Sequence, residues 1–362
     1  MAALIATARR NPAKQARGRR VVLWMAGLFV AAQGLAGYLI DRHGFAIRFP
    51  SGEAVLRDAG ESPRATIVWM GTSRSERGVR PDVMNTALWE RYGRHRVNLF
   101  NAAVPVGDPI TSEYLLDAFL ARGHRPEILV VEVSPDLLTR NSHWVGVHVM
   151  REMGWSDVPA VLPEAAGSDN LARLVTARLM PLYSHRKELR NLVLTSQTSE
   201  PPPLASPRCW AKGYFRWGHF DDYPEPPASP EFGRRRMDFD SMGVSRQLRD
   251  YRADGVVSAA LGRLLSRCDA EGISVVLVLP AVSEALRDLY TPEVERRFRD
   301  ELARMRESHP FEVVDLRDTV PDAGFVNVYH LVPETGGLTY SRAALERVVI
   351  PAVERRGLTA SR

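Results

Sequence analysis

The sequence predicts an α/β fold: a three-layer αβα sandwich around a mostly parallel five-stranded sheet, with an inserted cap and one N-terminal transmembrane helix. Three observations predict it. From residue 64 onward, short apolar runs alternate with amphipathic stretches, the rhythm of a parallel sheet with helices on both faces. Residues 137–245 break that rhythm. A twenty-residue uncharged run, 21–40, directly follows a basic tail.

The uncharged run is "VVLWMAGLFVAAQGLAGYLI", and Gln33 is its only strongly polar side chain. At about 1.5 Å per residue, a helix of that length crosses the ~30 Å hydrocarbon core. Trp24 and Tyr38 lie near its ends, where amphipathic rings favour the interface. Arg9, Arg10, Lys14, Arg17, Arg19 and Arg20 all precede it, with no acid among residues 1–20. Positive charge stays cytoplasmic, so the expected product is a single-pass inner-membrane protein whose residues 41–362 are periplasmic or otherwise extracytoplasmic. A cleaved signal has a shorter apolar core, whereas this run continues past "GLAG" at 34–37. The formal net charge is +5 and the tail contributes +6, which leaves −1 for the rest. That excludes a phosphate-tracking groove and with it nucleic acid as a partner.

Residues 41–63 read as a connector. The first sandwich segment, 64–136, opens with the buried-strand run "ATIVWM" (65–70). Pro81 then starts a helix that stops at Gly93. "VNLFNA" (97–102) is the second strand, "TSEYLLDAFLARG" a helix and "EILVVEV" (127–133) the third strand. The second segment, 246–362, begins with a helix through 246–271 that ends at Gly272. "ISVVLVLP" (273–280) and "FEVVDL" (311–316) are the last strands, separated by the helix "TPEVERRFRDELARMRESH". A final helix, "SRAALERVVIPAVERRG", is expected to bend at Pro351.

The cap, 137–245, holds Trp144, Trp155, Trp210 and Trp217 and two proline-rich stretches. These aromatics form either the cap's own small core or a surface that stacks on sugar rings or docks a partner. "NLARLVTARLMPLYSHRKELRNLVL" reads as one or two amphipathic helices. Cys209 and Cys268 face an oxidising compartment where a bridge is allowed, but Cys268 lies in an apolar helical pattern and reads more simply as a buried residue. No cysteine or histidine spacing suggests a metal site, and no cofactor is implied.

In an open parallel sheet, ligands bind beyond the carboxyl ends of the strands. "GTSRSERG" follows the first strand and places Ser73 there, with Thr72 and Ser75 as rival hydroxyls. "NAAVPVG" (101–107) follows the second strand, and "FVNVYHLVPETGG" with His330 follows the fifth. A hydroxyl, amide donors and an imidazole at one edge are what acyl transfer needs. The Gly-x-Ser-x-Gly elbow of α/β-hydrolases is absent.

This arrangement resembles the SGNH (GDSL-like) hydrolase superfamily, a flavodoxin-like sandwich. It looks most like the membrane-anchored members that work beside membrane-bound O-acyltransferases in decorating polysaccharides or cell-wall polymers. "MGTSRSERGVRP" matches the family's first block and implies Ser73 as nucleophile. "NAAVPVGDP" matches the second and implies an oxyanion hole from Asn101 with an amide of Val106 or Gly107. "NVYHLVPETGG" matches the last block and implies His330 as base, but Asn327 stands where the family has Asp. The third block, usually Gly-x-Asn-Asp, is not recognisable in "VEVSPDLLTRN". Asp136, Asp315, Asp318 and Asp322 are the alternative supports for His330.

The expected function is therefore an anchored acyltransferase or esterase acting on O-acyl groups of a cell-envelope polysaccharide. Its partners would be that glycan, a membrane-bound O-acyltransferase and the bilayer through residues 21–40. Two rivals remain: a non-catalytic glycan- or partner-binding accessory protein, and a simple lipid or ester hydrolase.

Overall fold

Each of the five apolar runs forms a strand, trimmed at its ends: β1 (Ile67–Met70), β2 (Leu99–Asn101), β3 (Ile128–Glu132), β4 (Ser274–Leu279) and β5 (Phe311–Asp315). The structure is a computed structural model that describes residues 12–61, 66–94, 96–140, 153–166, 170–195 and 243–358. The tail before Pro12, Cys209, Trp144, Trp210, Trp217 and the proline-rich stretches lie outside these residues.

The strands form one parallel sheet in the order β2-β1-β3-β4-β5. The central pairings are in register, with Ile67 opposite Ile128 and Val130 opposite Val276. Strand order reverses between β1 and β3, which opens a crevice beyond their carboxyl ends. Alternate side chains serve the two faces. Val68, Met70, Leu129 and Val131 pack with Leu116, Phe119, Leu264 and Phe298 on one face. Ile67, Trp69, Ile128 and Val130 pack with Met84, Leu88, Val348 and Val353 on the other. This is the αβα sandwich that the sequence predicts.

Three expectations about local structure change. The connector is not a loose link: Pro50–Glu61 is a helix whose Val55, Leu56 and Ala59 join the sheet's core. The helix expected from 246 begins at Val256, because Gly255 adopts φ 104° and separates it from a helical turn at 243–247. The last helix runs from Leu338 to Arg355 and absorbs Pro351 through a π-turn at Leu345–Val349. The wider turn accommodates the hydrogen bond that proline cannot donate.

In the described part of the cap, Val161, Ala165 and Leu174 pack on Ile110, Val256, Val257 and Ala260. The latter four lie in the opening turns of the helices Pro109–Ala121 and Val256–Glu271. The cap is therefore seated beside the carboxyl edge of the sheet. Cys268 is a buried free thiol whose pKa is pushed up to about 12 by burial and by the nearby Asp269.

Among the described residues, one helix, spanning Ala16–His43 with a mean hydropathy of 1.6, is long and apolar enough to cross a membrane. Its length and composition are those shared by membrane anchors and signal sequences.

Candidate active site

β1 ends at Met70, and Gly71 turns the chain into a short helix, Ser73–Gly78. A Cβ on Gly71 would lie 2.5 Å from Glu132 Oε2 and 2.7 Å from Glu132 Cβ, so only glycine fits this turn. Thr72 caps the helix by accepting from the Arg74 backbone N–H at 3.1 Å. Ser73 is thereby held at the first helical position, half-buried, in the crevice beyond β1 and β3.

The rival hydroxyls are already engaged. Glu132, the last residue of β3 and itself buried, accepts from Thr72 N (2.9 Å), Thr72 Oγ1 (2.8 Å) and Ser75 Oγ (2.6 Å). Ser75 Oγ also accepts from Trp69 Nε1 at 3.0 Å. Arg74 lies between two carboxylates: its Nε is 3.5 Å from Glu132 Oε1, and its Nη2 pairs closely with Asp136. Tyr290 Oη donates to Asp136 Oδ1 at 2.5 Å. Burial alone would raise the Asp136 carboxyl, but the Arg74 guanidinium and the hydrogen bonds from Tyr290 and Arg74 outweigh it and hold it below the usual carboxylate range. Glu132, Arg74 and Tyr290 are the contributors that sequence reasoning missed. The one signal for them was an acid at the last buried position of a central strand.

Ser73 Oγ lies 2.7 Å from His330 Nε2, although 257 positions separate them in the chain. His330 is 2% exposed, and the Tyr329 ring packs edge-on at 4.7 Å. Of the three rival hydroxyls of this turn, Ser73 is the one that meets the imidazole, which is the geometry a nucleophile–base pair requires.

The other ring nitrogen meets Asn327. Asn327 Oδ1 accepts the backbone N–H groups of His330 (2.8 Å) and Tyr329 (3.2 Å), and Asn327 Nδ2 lies 3.0 Å from His330 Nδ1. The two backbone donors fix which end of the amide carries oxygen. The amide therefore donates to Nδ1, so the proton of a neutral His330 sits on Nε2 and points at Ser73. Turning the amide over would sacrifice two buried hydrogen bonds, at about 1–3 kcal/mol each. A carboxylate at this position would accept all three N–H groups. The alternative supports are occupied: Asp322 accepts from Glu284 N, Asp315 pairs with Arg317, Asp318 with Arg347, and Asp136 with Arg74.

The expected oxyanion residues are distributed differently. Asn101 Nδ2 contacts the carbonyls of Ser75 (3.0 Å), Glu76 (3.3 Å) and Val79 (3.2 Å), bracing the helix behind Ser73. Its Oδ1 accepts from Ala103 N. The Gly107 N–H donates to Val104 O at 2.9 Å. Both groups are thus committed to the scaffold rather than turned toward a ligand. Glycine at 107 is required because a Cβ would stand 2.4 Å from Gly71 O. Val106 adopts φ 61°, an uncommon conformation for a β-branched residue, and its N–H takes no partner among the described residues. Of the three expected groups, the Val106 amide remains free to donate.

No protein-family model matches the chain, and no curated protein matches it. Among solved structures, it is similar to an α/β-hydrolase enzyme from the metagenome of Lake Arreo, Spain, at 11% identity and a TM-score of 0.36, over 82% of this chain and 97% of that one. It is also similar to a protein assigned to the G-D-S-L lipolytic family from Desulfitobacterium hafniense DCB-2, at 10% identity and a TM-score of 0.33, over 78% of this chain and 98% of that one. The site is described on its own geometry.

Proposed function

We propose that the chain is a membrane-anchored, extracytoplasmic SGNH-like esterase or acyltransferase that works through an acyl intermediate on Ser73. The observation that carries this reading is the 2.7 Å contact between Ser73 Oγ and His330 Nε2. In the reaction, Ser73 Oγ attacks the ester carbonyl carbon and its proton passes to Nε2. The leaving alcohol takes that proton as the ester C–O bond breaks. Water or an acceptor hydroxyl then repeats the sequence on the acyl-serine, giving an acid or a new ester. The Val106 amide is a donor for the oxyanion.

For Nε2 to act as base, the neutral ring must carry its proton on Nδ1, and Asn327 disfavours that tautomer. The site is consequently slow. In the serine-protease triad, an Asp to Asn change at the equivalent place lowers turnover by about 10⁴. Within this reading, the acceptor is a cell-envelope glycan, and acyl groups arrive from a membrane-bound O-acyltransferase, as the family resemblance implies.

The fixed Asn327 amide also favours a second reading, in which the fold serves as a non-catalytic glycan- or partner-binding module. Hydrolysis of p-nitrophenyl acetate by the full chain in detergent separates the two. The catalytic reading predicts slow turnover that disappears in Ser73→Ala and in His330→Ala, both with unchanged melting. Equal background rates in all three proteins would leave the binding module.

A further inference from the structure

We infer that the helical hairpin 170–184 of the cap is inserted in the outer leaflet of the membrane that the N-terminal helix crosses, with Arg173, Arg186 and Lys187 set against anionic phospholipid headgroups. This rests on residues 21–40 being an anchor.

The first support is depth. Residues 21–32 are exposed, but Gln33, Gly37 and Ile40 are buried along one face, at the i, i+4, i+7 spacing of a packing seam. Pro181 fills that seam: a Cβ on Gly37 would be 3.4 Å from Pro181 Cγ. Gln33 Oε1 accepts from the Leu182 N–H at 3.2 Å. Gln33 lies seven residues below Ile40, or about 10 Å along the helix. A hairpin bonded to the span at that level shares its surroundings.

The second support is the bond itself. Leu182 lies in the first turn of the short helix Pro181–Ser184, where backbone N–H groups lack a helical partner. In water, such a donor is satisfied by solvent. In hydrocarbon it must be met from within the protein, and the only strongly polar side chain of the apolar run meets it. At the upper end of the seam, Arg178 pairs with Asp41 at 3.0 Å and Trp155 N donates to the same carboxylate at 3.2 Å, a polar layer at the interface level.

The third support is the surface. Val175, Leu179, Met180, Leu182 and Tyr183 are exposed, as are Leu35 and Leu39 of the span against which the hairpin packs. A groove of about 480 Å³ between the hairpin and the start of the following helix, Arg186–Thr195, is lined by Arg173, Tyr183, Arg186 and Lys187. Arg186 stacks over the Tyr183 ring at 4.2 Å. Residues 170–195 carry Arg173, Arg178, Arg186, Lys187 and Arg190 against Glu188 alone, a net +4. Apolar residues flanked by long cationic side chains that reach back to the headgroups are the composition of an interfacial insertion.

The test uses the full chain, with Cys209→Ser, in vesicles of phosphatidylethanolamine and phosphatidylglycerol. Nitroxide labels are placed on Val30→Cys, Leu179→Cys, Leu182→Cys and Asp288→Cys in turn. Positions 179 and 182 are expected to collide with oxygen in preference to a polar nickel chelate, as position 30 does and position 288 does not. Nickel accessibility at 179 and 182 while position 30 reads as lipid overturns the insertion and leaves the anchor standing. That is also the outcome for a surface made for a protein partner above the membrane. Nickel accessibility at position 30 as well removes both.

Native mass spectrometry then tests the headgroup contact with dioleoylphosphatidylglycerol, dioleoylphosphatidylcholine and inorganic phosphate as probes. The anionic lipid should exceed the zwitterionic one by about 5-fold or more, with the excess lost in Arg173→Ala/Lys187→Ala. Equal occupancy by the two lipids, or saturation by phosphate alone, overturns it.

Discussion

The two halves of the candidate site are built to different standards. On the nucleophile side, at the ends of β1 and β3, every carboxylate has its donors: Glu132 takes three from the Ser73 turn, and Asp136 takes Arg74 and Tyr290. On the base side, His330 meets an amide that donates to the nitrogen from which it should accept. The contrast teaches that placing a nucleophile and tuning its base are separable. The first depends on folding geometry, and the second on a single atom of Asn327.

The largest expected effect on stability is on the nucleophile side. Glu132→Leu removes the acceptor for Thr72 and Ser75 and leaves Arg74 with one carboxylate instead of two. Breaking a buried ionic network in this way costs about 3–5 kcal/mol, read from the denaturant midpoint. Asn327→Asp, on the other side, should change stability by less than about 1 kcal/mol, since the carboxylate keeps both backbone donors and gains Nδ1–H. Similar losses for the two variants would erase the contrast.

Acid should also weaken the nucleophile side. The Asp136 carboxyl is held below the usual range, so its contribution is fully present above the unfolded value near about 3.9 and is lost as pH falls through the lower folded value. Stability from this group is expected to be flat above about pH 5 and to decline below about pH 4. In Asp136→Asn, thermal melts against pH should show a shallower acid limb. An unchanged limb would mean that the pair contributes nothing on acidification.

On the nucleophile side, Ser75→Ala is a smaller change than Glu132→Leu: it removes the acceptor for Trp69 Nε1 and one donor to Glu132. The expected loss is about 1–2 kcal/mol with Ser73 reactivity retained. Loss of reactivity in this variant alone would make Ser75 the functional hydroxyl.

Much of this is legible in the sequence. Buried parallel strands must be apolar on both faces, so their runs stand out, and ligand-site residues follow strand ends; Ser73 and His330 emerge that way. Glu132 does not, because in "EILVVEV" it reads as the polar end of a strand and its partners lie 57 to 60 positions away. The surroundings of Asn101 are hidden in the sequence for a similar reason. Its type suits a donor, but only the folded loop shows its amide committed to the carbonyls of Ser75, Glu76 and Val79. The helix Pro50–Glu61 escapes detection because Pro50, Gly52 and Gly60 weaken its pattern, and packing on the sheet compensates. The amide at Asn327 is visible in the sequence, whereas the direction of its hydrogen bonds is not.

On the proposed function, Asn327 holds His330 in the tautomer whose Nε2 proton faces Ser73, the proposed nucleophile. The direct test is the rate of covalent labelling by a fluorophosphonate ester in the parent chain, in Asn327→Asp, and in Asn327→Asp/Ser73→Ala, at pH 8. The expected result is an increase of between about 10² and 10⁴ in Asn327→Asp, from the loss seen in the reverse change and the cost of two buried hydrogen bonds, and no labelling without Ser73. A labelling rate that Asn327→Asp leaves unchanged or lowers would contradict it.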